Sequence, residues 1–279
     1  MSPTPASSPQ LPVIAFIGGG NMASAIIGGL IRQGHPARQI EVVEPWDEAR
    51  AALRKNFGIE ALPAPGPALA RAGIVVWAVK PQTFKDAAAQ ARAHTQGALH
   101  LSVAAGIRSD SIAQWLGSDC IVRTMPNTPA LVGKGMSALY ARPGVSAEQC
   151  QSVEAIMATT GEFLWVESEK QLDAVTALSG SGPAYVFYFL EAMTRAGTAM
   201  GLAPAQAHQL AVGTFVGASE LARRSDEPPE VLRQRVTSKG GTTYAAIQSL
   251  EKDGVGASFE AAMRAAEQRA HELGDEFGS

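Results

Sequence analysis

Three consecutive glycines, Gly18-Gly19-Gly20, close the apolar run Val13-Ile14-Ala15-Phe16-Ile17 and open the helix-forming stretch Ala23–Arg32. This junction restricts the fold more than any other segment. A short, continuously apolar run reads as a buried strand, and a helix starting within a few residues of it must pack back across the same sheet. The spacing of Gly18, Gly20 and Ala23 fits G-x-G-x-x-A. Gly18 permits the tight turn, Gly20 removes the Cβ that would stand where a pyrophosphate lies, and Ala23 allows close helix–strand packing. The helix start presents free N–H groups to phosphates. The span Ile17-Gly18-Gly19-Gly20-Asn21-Met22 therefore reads as a dinucleotide-binding turn. The competing reading is a glycine-rich turn that binds nothing.

The same alternation continues through the first half. Ile40-Glu41-Val42-Val43, Ile74–Val79, Ala98–Val103 and Cys120–Arg123 are further strands, separated by helix-length stretches such as Pro81–Ala93. Most are apolar throughout, as suits strands of a parallel sheet covered on both faces. Met136–Ala141 and Phe163–Val166 can extend the sheet at an edge. The expected fold is α/β, an N-terminal doubly wound sheet over residues 12–167 behind a disordered tail at 1–11. From residue 168 to 279 only helices are expected, including Pro183–Met200, Pro204–Arg223 and Phe259–Leu273. In the last, Phe259, Met263, Ala266, Ala270 and Leu273 form one stripe. Tyr185-Val186-Phe187-Tyr188-Phe189-Leu190 is apolar all round and needs cover on every side, from its own domain or a second subunit.

Composition removes several classes of function. Lysine plus arginine number 23 against 26 aspartates and glutamates, a formal charge of −3, which gives no footprint for nucleic acid or anionic lipid. Two cysteines and five histidines without i, i+4 spacing argue against a disulfide scaffold or a metal centre. No targeting segment is evident, and no apolar run approaches the roughly 18–20 residues of a membrane span, so a cytoplasmic protein is expected.

Other candidate residues lie at carboxyl ends of strands, where open α/β sheets bind ligands. Glu44 ends the second strand, in place to take the ribose of a dinucleotide; its plain alternative is a solvated charge, and Arg50 one turn on could neutralise a 2′-phosphate. Ala78-Val79-Lys80-Pro81 ends the strand begun at Ile74, the proline starting the next helix. Val103-Ala104-Ala105-Gly106 offers small residues one strand later, and Met125-Pro126-Asn127-Thr128-Pro129-Ala130 forms a stiff turn. In the helical half, Ala177-Leu-Ser-Gly-Ser-Gly-Pro-Ala184 reads as a Gly/Ser loop closed by Pro183. Thr237-Ser238-Lys239-Gly240-Gly241-Thr242-Thr243 reads either as an anion nest at a helix start or as ordinary Ser/Thr capping. No nucleophilic or paired-carboxylate arrangement can be argued from spacing, which suits hydride transfer.

Taken together, FIGGGNMASAIIGGL, AVKPQ, SVAAGI, RTMPNTPALVGKG, DAVTALSGSGPAYVFYFLEA, VTSKGGTT and LEKDG resemble pyrroline-5-carboxylate reductases over nearly the whole chain. The resemblance implies a Rossmann domain followed by an all-helical dimerisation domain. It also implies reduction of 1-pyrroline-5-carboxylate to L-proline with NADPH or NADH, and a homodimer through the helical domain, with a larger ring such as a decamer beyond it. By the same resemblance the cofactor meets Gly18, Gly19, Gly20, Asn21, Met22, Ala78, Lys80, Pro81 and Ala104. Substrate meets Ser238, Gly240, Gly241, Thr242 and Thr243, with the Thr243 hydroxyl at the ring nitrogen. Lys239 stands where the family usually has proline, adding a charge near the expected carboxylate site. The alternatives are another two-domain reductase, such as a β-hydroxyacid dehydrogenase, and a catalytically silent NAD(P)-sensing module.

Overall fold

The computed structural model describes residues 11–278; the expected tail, apart from Leu11, lies outside them. In chain order the regular elements are β1 (Ile14–Ile17), α1 (Asn21–Arg32), β2 (Ile40–Val43), α2 (Asp47–Phe57), β3 (Ile74–Trp77), α3 (Pro81–Ala91), β4 (Leu99–Ser102), α4 (Ser109–Leu116), β5 (Ile121–Met125), β6 (Gly135–Ala141), α5 (Ala147–Met157) and β7 (Gly161–Trp165). Beyond β7 the regular elements of the described residues are helices: α6 (Gln171–Val175), α7 (Gly182–Ala199), α8 (Pro204–Arg223), α9 (Pro229–Arg235), α10 (Thr242–Lys252) and α11 (Val255–Phe277).

The sheet order is β2-β1-β3-β4-β5-β6-β7. Strands β1 to β5 run parallel, β6 is antiparallel to β5, and β7 pairs parallel with β6. Side chains alternate across the pleat, so β1 sends Ile14 and Phe16 to one face and Ala15 and Ile17 to the other. The first face is covered by Ile26, Ile27 and Leu30 of α1 and Val153, Ile156 and Met157 of α5. The second is covered by Phe84 and Ala88 of α3 and Ile112 and Leu116 of α4. Double coverage is why these strands are apolar without alternation.

One buried polar cluster ties the end of the sheet to the start of the helical stretch. The Glu169 carboxylate accepts from Arg123 Nη1 of β5 at 2.6 Å and from the backbone N–H and hydroxyl of Ser109, each at 2.6 Å. The expected change at 167/168 is one of element type. The compact packing units divide elsewhere, at Ser181/Gly182, with residues from Ala266 onward rejoining the first unit and Gly182–Ala265 forming the second. Glu169 and the buried Leu172 and Ala177 hold the stretch before Ser181 to the sheet.

The Gly/Ser segment expected as a loop is helical. Thr176–Gly180 continues α6 as a π turn, a local widening that often marks functional segments. Thr176 Oγ1 donates to Leu172 O at 2.7 Å and Ser179 Oγ to Val175 O at 3.2 Å. Asn127, from the stiff turn after β5, donates through Nδ2 to Ser179 O at 3.1 Å, while its Oδ1 accepts from Met136 N. A Cβ on Gly180 would lie 2.5 Å from Met125 Cε. The two motifs thus form one joint, and composition misread it because hydroxyls bonding back along the helix replace turn chemistry.

Candidate functional site

The chain leaves β1 for β2 on one side and returns to β3 on the other, so the strand order reverses beside β1. Such a switch point opens a crevice at the carboxyl ends. The three glycines occupy it with three separate jobs. Gly18 has φ +97°, and a Cβ there would stand 2.5 Å from Ala78 O, so the turn and the approach to β3 both require glycine. Gly19 lies against Leu53, and its N–H donates to Glu44 Oε2 at 2.7 Å. Gly20 has an ordinary extended backbone, and an added Cβ would meet nothing within 4 Å. The space above it is the cleft itself. Gly20 is also the N-cap of α1 without any side-chain cap, which leaves the first N–H groups to a ligand.

The cleft measures about 650 Å³. It gathers Ile17, Gly18, Gly20, Glu44, Ala78, Val79 and Lys80 from the expected residues. Trp46, Pro63, Pro65 and Asp86 also line it, and no sequence signal pointed to them. Pro63 and Pro65 arrive because Leu62 bridges Val43 beside the sheet, a contact that no motif encodes. A cleft of this volume at the carboxyl edge, an uncapped helix start at its glycine floor and a carboxylate just past the end of β2 fit a nicotinamide dinucleotide.

The remaining expected cofactor residues do not line that cleft. Asn21 is exposed at the start of α1, and Met22 packs half-buried against the core. Pro81 is the first residue of α3. Val103 and Ala105 are half-buried just beyond β4, and Ala104 is buried with its N–H donating to Ser102 Oγ at 3.3 Å.

The second unit carries the hydroxyl-rich loop. Thr237 Oγ1 donates to Arg233 O at 2.6 Å, and Gly241 N donates to Ser238 O at 3.0 Å, closing a turn in which Gly240 has φ +81°. Ser238, Lys239, Gly240 and Thr242 are exposed; Gly241 and Thr243 are half-buried. Gly241 caps α10, and no side chain hydrogen-bonds its first turn. The ordinary capping reading therefore fails here, and these N–H groups remain available to an anion. Upstream, Glu227 is committed to Arg235 at 2.6 Å.

In the same unit, Phe259 of α11 packs edge-on against Tyr185 and Phe189, at centroid distances of 5.5 and 5.8 Å. The other half of that apolar helix, Val186, Phe187 and Tyr188, is exposed in the single chain, Tyr188 to 66%. Among the described residues, no three metal-ligating side chains converge and no helix is long and apolar enough to cross a membrane.

Two family models match. Residues 13–106 match "NADP oxidoreductase coenzyme F420-dependent", and residues 169–273 match "Pyrroline-5-carboxylate reductase dimerisation". A pyrroline-5-carboxylate reductase of Pseudomonas aeruginosa is 46% identical over 96% of this chain and 98% of its own length. That of Haemophilus influenzae is 39% identical over 95% and 98%. Among solved structures, the Coxiella burnetii pyrroline-5-carboxylate reductase superposes with TM-score 0.87 at 37% identity, covering 95% of this chain and 99% of that one. A Plasmodium falciparum pyrroline carboxylate reductase with NADP bound gives TM-score 0.85 at 28% identity, covering 94% and 98%. Identity of this extent, running through both the glycine cleft and the hydroxyl-rich loop, places the chain in the pyrroline-5-carboxylate reductase family.

Proposed function

We propose that this protein reduces the C=N bond of 1-pyrroline-5-carboxylate to give L-proline, with NADPH or NADH as reductant, in the cytoplasm. The observation that carries the reading is the full-length likeness to reductases of this name, unbroken across both motifs. Bound in the first unit, the dinucleotide supplies a hydride for the imine carbon. Gly18, Gly19, Gly20, Asn21 and Met22 form its phosphate turn, Glu44 faces its ribose, and Ala78–Pro81 with Val103–Ala105 continue the site along the carboxyl edge.

In the second unit, the turn Ser238–Gly241 and the uncapped start of α10 take the substrate carboxylate. Thr243 then sets its hydroxyl at the ring nitrogen, which gains a proton as the carbon gains hydride. One proton and one hydride are consumed per proline formed. Lys239 adds a cation beside the carboxylate site.

The exposed apolar half of α7 supports a homodimer through the helical unit, because patches of this kind are rare on monomers. Assembly of dimers into a larger ring belongs to the same reading.

Turnover of 1-pyrroline-5-carboxylate, set beside 2-oxo acids and acyclic imines with each dinucleotide, tests the function. Oxidation of the dinucleotide with the cyclic imine alone is expected. Preference for a 2-oxo acid would assign the chain to a different reductase class.

A further inference from the structure

We propose that the adenosine end of the cleft is built for an unphosphorylated ribose, so that this chain selects NADH over NADPH. The inference rests on the assignment of the cleft to a dinucleotide and goes beyond it by choosing between the two cofactors. It starts from Glu44, which lines the cleft yet is only 6% exposed. Its two oxygens are held separately: Oε2 accepts from Gly19 N at 2.7 Å, and Oε1 from Trp46 N at 3.0 Å. The donors belong to two different loops, so the carboxylate cannot swing aside without releasing a backbone N–H. Each oxygen keeps lone-pair capacity for one more donor.

A ribose 2′-hydroxyl supplies that donor. A 2′-phosphate supplies only acceptor oxygens and close to two negative charges, and meets a carboxylate that is pinned in place. The nearest cation does not relieve this. Arg50 turns its Nη1 to the carbonyl oxygens of Glu44 and Pro45, at 2.9 and 2.7 Å, and pairs through Nη2 with Asp47. It lines a separate surface hollow with Arg54 and Lys55, not the cleft. The charged residues that line the cleft are Glu44, Asp86 and Lys80, one cation against two anions. Lys80 is the N-cap of α3, beyond β3, a strand that lies two places from β2 in the sheet, roughly 10 Å away strand to strand.

Calorimetric titration of the whole protein with NADH and with NADPH, without substrate and at low salt, tests the proposal. NADH is expected to bind more tightly by roughly tenfold to a hundredfold, the worth of one hydrogen bond to a charged group. Added salt should narrow the gap. Glu44→Gln keeps the length and one acceptor but removes the charge, and should bring the NADH-to-NADPH ratio down about tenfold. Arg50→Ala should leave the ratio unchanged. NADPH binding as tightly as NADH in the wild type would overturn the proposal, whether or not the variants fold. A loss confined to NADPH in Arg50→Ala would overturn it too, by showing that Arg50 reaches the phosphate. If neither dinucleotide bound, the cleft reading itself would fall and take the proposal with it.

Discussion

Replacing Gly20 with valine separates the ligand's demand for glycine from the fold's. The backbone there is ordinary, φ −71° and ψ −165°, and an added Cβ meets no protein atom within 4 Å. The cost to folding is that of a poor helix N-cap, about 1 kcal/mol. The new side chain instead fills the space above the uncapped start of α1, where the pyrophosphate must approach. One or two charge-assisted hydrogen bonds from helix N–H groups are lost, about 3 kcal/mol together, or roughly a hundredfold in dissociation constant. Gly18→Ala is the control with the opposite signature. At φ +97° and 2.5 Å from Ala78 O, its Cβ strains the backbone and drives β1 from β3, costing about 2–4 kcal/mol of stability. Calorimetric titration with each dinucleotide, set beside urea unfolding, reads both variants. Undiminished cofactor binding by Gly20→Val would refute the reasoning, as would a stability loss matching that of Gly18→Ala.

Thr243→Val keeps the branched shape and removes the hydroxyl; kcat/KM for the cyclic imine should fall roughly ten- to a hundredfold with cofactor affinity unchanged, and wild-type kinetics would remove Thr243 from the mechanism. Glu169→Ala strands the Arg123 guanidinium, 7% exposed, and should cost about 3–5 kcal/mol in urea unfolding; a change under 1 kcal/mol would show that water already solvates the pair. His100 accepts from Trp77 Nε1 at 3.2 Å, and burial pushes its pKa from 6.5 to about 4. The unfolded chain therefore binds the extra proton first, and stability should fall by about 3 kcal/mol as pH drops from 6.5 to 4. His100→Gln, which keeps an acceptor for Trp77, should flatten that slope; an unchanged slope would exonerate His100. Tyr188→Glu with Phe187→Glu should yield monomer in sedimentation at low micromolar concentration, where the parent should show none; a parent that sediments as a monomer would refute the dimer.

The parallel half was legible because its strands are covered on both faces and its helices on one, so hydrophobic pattern and packing coincide. Gly18, Gly20, Glu44 and Ala78 were readable for the same reason: each sits where a strand ends, and the turn chemistry is local. Pro63 and Pro65 were not, since they reach the cleft through the Val43–Leu62 bridge, a long-range pairing without a signature, and Trp46, the residue before α2, carries no motif of its own. The joint between Asn127 and the π turn was missed because a Gly/Ser-rich segment looks like a loop until its hydroxyls are seen bonding to carbonyls four residues back. The packing of residues 169–181 with the sheet was not legible either, because its Arg123–Glu169 pair joins two residues far apart in sequence.

Transfer of deuterium tests the central claim most directly. The protein is incubated with 1-pyrroline-5-carboxylate and reduced dinucleotide carrying deuterium at both C4 positions of the nicotinamide, and the product is examined by mass spectrometry and NMR. The account predicts proline one mass unit heavier, with a single deuterium at C5, the former imine carbon, and none elsewhere. Unlabelled proline, or no proline while the dinucleotide is consumed with another carbonyl or imine compound, would contradict it.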